Sequence, residues 1–99
     1  MNGFSRLAPE ACRAAMAGLH PDWQLDHAAR AISRAFAFKG MAKAAQLANL
    51  AVWHAEKTGH HPDIAFGWGY CRLTYTTHDI GGLTEADFAT AAGFDALIL

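Results

Sequence analysis

From Met41 to Lys57 the apolar residues Met41, Ala44, Ala45, Ala48, Ala51, Val52 and Ala55 follow the i, i+3, i+4, i+7 rhythm that paints one face of a helix. Most of them are alanines, so this helix can lie close on a partner surface. It must also stop. Pro62 in Gly59-His60-His61-Pro62 lacks an N–H and pushes His61 toward an extended conformation. A chain of 99 residues has one core to offer. The segments around this helix must therefore supply the sheet that covers it.

Those segments change period. Ile64 to Trp68 reads as a strand, Gly69 as a hairpin turn, and Tyr70 to Thr77 as a second strand. Cys71, Leu73, Tyr75 and Thr77 alternate there with Arg72, Thr74 and Thr76, the period of two of a half-buried antiparallel strand. Upstream, Met1 to Leu7 is expected to fray. Pro9 and Glu10 open a short helix with Leu7, Ala11, Ala14, Ala15 and Leu19 as its stripe, ended by Gly18 and His20-Pro21. Trp23 to Leu25 predicts a brief strand, Asp26 to Ala28 a loop, and Ala31 to Phe38 another strand with Ile32, Phe36 and Phe38 inward. Arg34 falls on that inward register, which predicts a bulge or an exposed edge. After a loop at Ile80 to Gly82, Thr84 caps a last helix with Asp87 three residues on and an inner face of Leu83, Phe88, Ala91, Ala92 and Leu97. The order is α-β-β-α-β-β-α, an α+β fold with a four-stranded antiparallel sheet covered on one face by three helices, as one domain over residues 1–99.

The long helix is not polar on its second side, where Leu47, Leu50 and Trp53 sit among Lys43, Gln46, His54 and Lys57. That cluster predicts contact with another copy of the chain. Formal net charge is −1 with no basic stripe, which argues against nucleic acid as a partner. No apolar run approaches a membrane span and no signal-peptide pattern opens the chain. Cys12 and Cys71 form no pair motif and are expected to be buried, reduced thiols of a cytoplasmic protein.

The remaining chemistry lies in histidines. His60 and His61 sit at a helix-to-strand junction, and His78 closes the strand one hairpin later, so the three can fold back beside Glu56 and Asp87. Converging imidazoles suit proton transfer near neutral pH. Metal ligation is the sharpest rival, but adjacent residues on an extended segment point apart and no helical H-E-x-x-H spacing is present. Cys71, alternating with inward residues, is placed as an inert thiol rather than a nucleophile. Taken singly, Asp87 is explained by capping, Glu56 by an exposed helix face and Trp68 by the core.

Their joint spacing resembles the pterin-4a-carbinolamine dehydratase family. The family's acidic residue, His-His-Pro, aromatic, His and Asp are met by Glu56, His60-His61-Pro62, Trp68, His78 and Asp87. Trp23, Phe36-Ala37-Phe38-Lys39, Leu73 to His78 and Gly82 to Asp87 extend the resemblance to nearly the whole chain. It implies dehydration of 4a-hydroxytetrahydropterin in tetrahydropterin recycling, with no metal or organic cofactor. It also implies dimers or tetramers joined partly through the second helix, at Leu47, Leu50 and Trp53. His60 and His78 would exchange protons and His61 would orient the pterin. Glu56, Trp68, Thr76, Thr77 and Asp87 would complete the substrate site. Gly59, also at the substrate site, stands where the best-known members carry Asp, and Ala86 replaces a basic residue, so an active enzyme with weaker pterin binding or a lower catalytic pKa is expected. A non-catalytic interaction module using the second-helix face is the alternative, since some relatives act as transcription coactivators or assembly helpers.

Overall fold

A computed structural model describes residues 5–99, so Met1 to Phe4 of the segment expected to fray lie outside the described residues. The rest of that segment is tied down, because the Leu7 N–H donates to the Leu83 carbonyl at 2.8 Å. The elements follow in the expected order: α1 (Pro9–Ala15), a 3-10 turn (Met16–Gly18), β1 (Gln24–Leu25), β2 (Ile32–Ala37), α2 (Ala42–Thr58), β3 (Asp63–Gly67), β4 (Tyr70–Tyr75) and α3 (Glu85–Leu97). The four strands form one antiparallel sheet in the spatial order β1-β2-β4-β3.

Register sorts the two faces of the sheet. Ile32 pairs with Tyr75, Phe36 with Cys71 and Ile64 with Leu73, all on the side where Ile32, Cys71, Leu73 and Tyr75 are fully buried. Against that side lie Ala44, Ala48, Ala51 and Ala55 of α2, Phe88, Ala91 and Phe94 of α3, and Cys12 of α1. The alanine face of α2 therefore does what its spacing predicts. The opposite sheet face carries Ala35, Ala65 and Arg72 and stays exposed.

Several expectations are corrected by packing. Cys12, not Ala11 or Ala14, is the buried residue of α1, because that short helix rests on the loop carrying Ala29. Leu97 is exposed and Phe94 takes its place inside α3. Met41 and Val52 of the supposed inner face of α2 are about half exposed. Arg34 marks neither a bulge nor an edge: β2 pairs on both sides with unbroken register against β4. Its side chain turns inward because Asp95 of α3 meets it, Nη1 to Oδ1 at 2.8 Å, while the guanidinium lies over the Phe36 ring.

His54 is likewise inside rather than among the polar residues of α2, with its ring 5.8 Å from that of Phe94 and Nδ1 buried without a partner among the described residues. Gly93 of α3 makes room for it, since a Cβ there would stand 3.2 Å from His54 Nε2. In a free helix Gly→Ala gains about 1 kcal/mol. Gly93→Ala is expected to show little of that gain in the wild-type background and to recover it beside His54→Ala. Urea unfolding of the two single variants and the double variant checks this, and strict additivity would mean the contact is not felt.

Candidate active site

Asp87 is the fixed point around which the site is built. It occupies the first turn of α3, fully buried, and reaches back to accept the Thr84 N–H at 2.9 Å, as the capping pattern predicts. The same oxygen, Oδ2, accepts the Thr77 hydroxyl at 2.8 Å, while Oδ1 takes Nε2 of His60 at 2.5 Å. A buried carboxylate is costly unless hydrogen-bonded, and here both oxygens accept from donors. A residue in the first turn of α3 therefore also ties together the segment after β4 and the junction after α2.

The chain places His60 there by a local rule. Gly59 ends α2 in the left-handed region at φ +78°, its N–H donating to the Ala55 carbonyl. The extended run into Pro62 then sends neighbouring side chains to opposite sides. His60 turns inward to Asp87, and His61 turns outward, where Nε2 meets Glu56 Oε2 at 2.6 Å. His78 stands at the same end of the β3–β4 hairpin, its Nε2 3.3 Å from Asp63 Oδ2. His60 and His61 are thus each hydrogen-bonded through Nε2 to a carboxylate of their own, and His78 lies within ion-pair distance of a third.

The pairs differ in setting. The His60 side chain is 20% exposed and its carboxylate not at all, whereas His61, Glu56, His78 and Asp63 are each more than half exposed. Exposed pairs of that kind contribute little to stability. A cleft of about 380 Å³ opens beside His60, with Gly59, Thr77, Ala86, Ala89 and Thr90 among its walls. Apart from His60, no ionisable side chain lines it among the described residues. Tyr75 lies behind the imidazole, and burial, with the Asp95 and Asp87 carboxylates nearby, pushes its phenol well above the usual range. Burial also raises the Cys12 and Cys71 thiols, which keeps both protonated and poor nucleophiles.

Of the residues singled out in the sequence, His60, Gly59, Thr77 and Asp87 come together in and behind the cleft. Glu56, His61 and His78 form the exposed pairs at its end of the molecule and do not line it. Thr76 points its hydroxyl away, to the Arg30 carbonyl at 2.6 Å, so only its backbone is free to serve the site. Trp68 is not core: it sits at the tip of the β3–β4 hairpin, 74% exposed. At about 3.3 Å per strand residue, the length of β3 separates it from the histidines. Asp63 was missed, although an acid directly after His-His-Pro was a visible signal. In the sequence Tyr75 is one more inward position of the alternating strand, and nothing local distinguishes it from Leu73. Among the described residues no group of three or more His, Cys, Asp or Glu side chains could hold a metal ion.

Comparison with known proteins bears on this geometry. A family model described as pterin 4 alpha carbinolamine dehydratase matches residues 5–97. A candidate pterin-4-alpha-carbinolamine dehydratase of Paracoccus denitrificans is 51% identical over 96 residues, 97% of this chain and 89% of the relative. A protein of Methylococcus capsulatus with the same description is 46% identical over 77 residues, 78% of this chain and 68% of the relative. The crystal structure of a transcriptional coactivator/pterin dehydratase from Brucella melitensis superposes with a TM-score of 0.81 at 31% identity, covering 94% of this chain and 98% of the other. A pterin dehydratase-like protein identified as a RuBisCO assembly factor in the alpha-carboxysome superposes with a TM-score of 0.62 at 32% identity, covering 79% of this chain and 90% of the other.

Proposed function

Because the chain belongs to the pterin 4 alpha carbinolamine dehydratase family, we propose that it dehydrates 4a-hydroxytetrahydropterin by histidine acid–base catalysis. It would act in the cytoplasm, in the recycling of tetrahydropterin for aromatic amino-acid hydroxylases. The observation that carries this reading is the set of three imidazoles at one end of the sheet, with His60 and His61 hydrogen-bonded through Nε2 to Asp87 and Glu56 and His78 within ion-pair distance of Asp63. Orientation of a general acid by a carboxylate is what proton transfer to a poor leaving group requires.

The bond to be broken is C4a–O. Hydroxide leaves poorly, so an imidazolium donates its Nδ1 proton to that oxygen as the bond lengthens, and water departs. The lone pair of N5 stabilises the cation that develops at C4a. Loss of the N5 proton to a neutral imidazole then forms the C4a=N5 bond of the quinonoid dihydropterin. One proton is given and one taken, so the reaction needs no oxidant, metal or organic cofactor. His60 and His78 are assigned to the proton transfers and His61, with Glu56, to orienting the heterocycle. Thr77 and the Thr76 backbone complete the contacts to its polar edge. Stopped-flow measurement of 4a-hydroxypterin breakdown, with and without the protein, tests the reading. A rate unchanged by the protein would overturn it.

Gly59 offers a further expectation. A Cβ at this position meets nothing within 4 Å, so an aspartate can project a carboxylate into the cleft. The left-handed backbone at φ +78° costs a side chain about 1 kcal/mol. Gly59→Asp is expected to lower KM for the pterin several-fold while lowering the unfolding midpoint slightly, as read by steady-state kinetics and urea titration.

A separate observation supports an interface on the second helix, the face that the non-catalytic interaction-module alternative would also use. Met41, Val52 and Trp53 leave about half their surface exposed on α2, with Leu47 and Leu50 half-buried beside them. A homodimer or homotetramer through this face is the form we propose, and it is compatible with catalysis. Trp53→Glu is expected to shift the particle to a smaller mass by size exclusion with light scattering. A mass unchanged from wild type would argue against this interface.

A further inference from the structure

Asp87 fixes the His60 ring at a single atom, and a hydrogen bond at Nε2 alone leaves the imidazole able to swing about that bond. The second constraint comes from its face. The ring of Tyr75 lies within 14° of parallel to the imidazole, centroids 6.2 Å apart, an offset stack. Tyr75 ends β4 and is fully buried, and it also packs on Trp23, ring centroids 5.8 Å apart. Trp23 is held in turn, for its Nε1–H donates to both oxygens of Asp95 at 2.8 and 3.0 Å. The same carboxylate is pinned by Arg34 Nη1 and by the His20 N–H. An ion pair, an indole, a phenol ring and the imidazole thus stand in a row that runs from the β1–β2 side of the core to the cleft.

The hydroxyl of Tyr75 does not explain the residue. Oη is buried and has no hydrogen-bond partner among the described residues. Such a group costs stability, so the useful part of this side chain is its ring. The geometry points to Tyr75 as a positioning residue for the proposed dehydration: its ring, buttressed by Trp23, sets the plane of the His60 imidazole and so the direction in which Nδ1 meets the substrate. This rests on the dehydratase reading for its kinetic consequence and not for its structural one.

The experiment compares the full chain with Tyr75→Phe and Tyr75→Leu by histidine-ring NMR and by kinetics. In the wild-type protein and in Tyr75→Phe, the His60 ring protons are expected to show cross-relaxation peaks to the aromatic protons of residue 75. Tyr75→Leu removes that flat neighbour, and the His60 ring is expected to reorient faster, as read by its ring-carbon relaxation. For turnover, Tyr75→Leu is expected to lower kcat about tenfold with little change in KM, the signature of a misaimed group. Tyr75→Phe should stay within about twofold of wild type and unfold at higher urea, because it removes only the unpartnered hydroxyl. Tyr75→Leu keeping both the wild-type ring relaxation and kcat would overturn the assignment, as would Tyr75→Phe losing as much activity as Tyr75→Leu. If Tyr75→Leu does not fold, the wild-type and phenylalanine spectra decide alone, since the absence of those cross-peaks excludes the stack. A protein with no dehydratase activity sinks the proposed function, and the spectra still read the placement of His60.

Discussion

Substituting His60 by glutamine is expected to lower kcat for 4a-hydroxypterin dehydration by about 10²–10⁴-fold, the usual contribution of a positioned acid or base, while the protein stays folded. The glutamine amide can reach Asp87 Oδ1 in place of Nε2–H, so the buried carboxylate keeps its donors at Thr84, Thr77 and residue 60. It cannot accept and release a proton near neutral pH. His60→Ala removes the ring altogether and leaves a gap beside the open cleft of about 380 Å³. Added imidazole can occupy that gap and should restore part of the rate in the alanine variant. His61→Ala and His78→Ala, whose rings are more than half exposed, should lower the rate with hardly any change in unfolding midpoint. Equal rates in wild type and His60→Gln would remove His60 from the chemistry.

The second large effect falls on stability and activity together. Asp87→Ala strips the acceptor from the buried Thr84 N–H, the Thr77 hydroxyl and His60 Nε2 at once. The Thr84 N–H is then left buried and unpaired, at a cost of about 1–3 kcal/mol, whereas the Thr77 hydroxyl can still meet Thr84 Oγ1 at 2.9 Å and His60 borders the open cleft, so a loss within that range is expected. That is a large fraction of what a domain of this size has. Asp87→Asn is the more telling variant. Its one oxygen must serve Thr84 and Thr77, which turns the amide NH₂ toward His60. The imidazole must then accept at Nε2 and carry its hydrogen on Nδ1, the tautomer opposite to the one Asp87 selects. Asp87→Asn is therefore expected to retain its fold with a midpoint lowered by less than that of Asp87→Ala. Its kcat should fall by about 10²-fold or more. Nitrogen chemical shifts of the ring report the tautomer directly. An Asp87→Asn variant with unchanged tautomer and rate would show that the carboxylate serves only as a helix cap.

How much of the site was legible beforehand depends on the range of each interaction. The break at Gly59 to Pro62 is a local property: glycine takes the left-handed turn, proline forbids the helix, and the residues between must project to opposite sides. That His60 and His61 differ in surroundings follows from this alone. Which of the two turns inward does not, because it depends on α3 arriving behind the junction. The bond from His60 to Asp87 spans 27 residues and that from Arg34 to Asp95 spans 61. Arg34 shows the consequence: a charge on the inward register reads as an irregularity until its partner on another element is known. His54 makes the same point in reverse, a polar residue on a helix that a glycine on α3 allows to be buried.

The sequence by itself determined the order of elements, their periods, the alanine face of α2 and the cap that binds Asp87 to Thr84, because each follows from spacing within a few residues. Only the tertiary structure decided which carboxylate meets which imidazole, that the Tyr75 ring lies nearly parallel to that of His60, and that Trp68 stands at an exposed hairpin tip. These are contacts between segments brought together by packing the helices on one face of the sheet. Their geometry is set by the distances between elements, which no local pattern encodes.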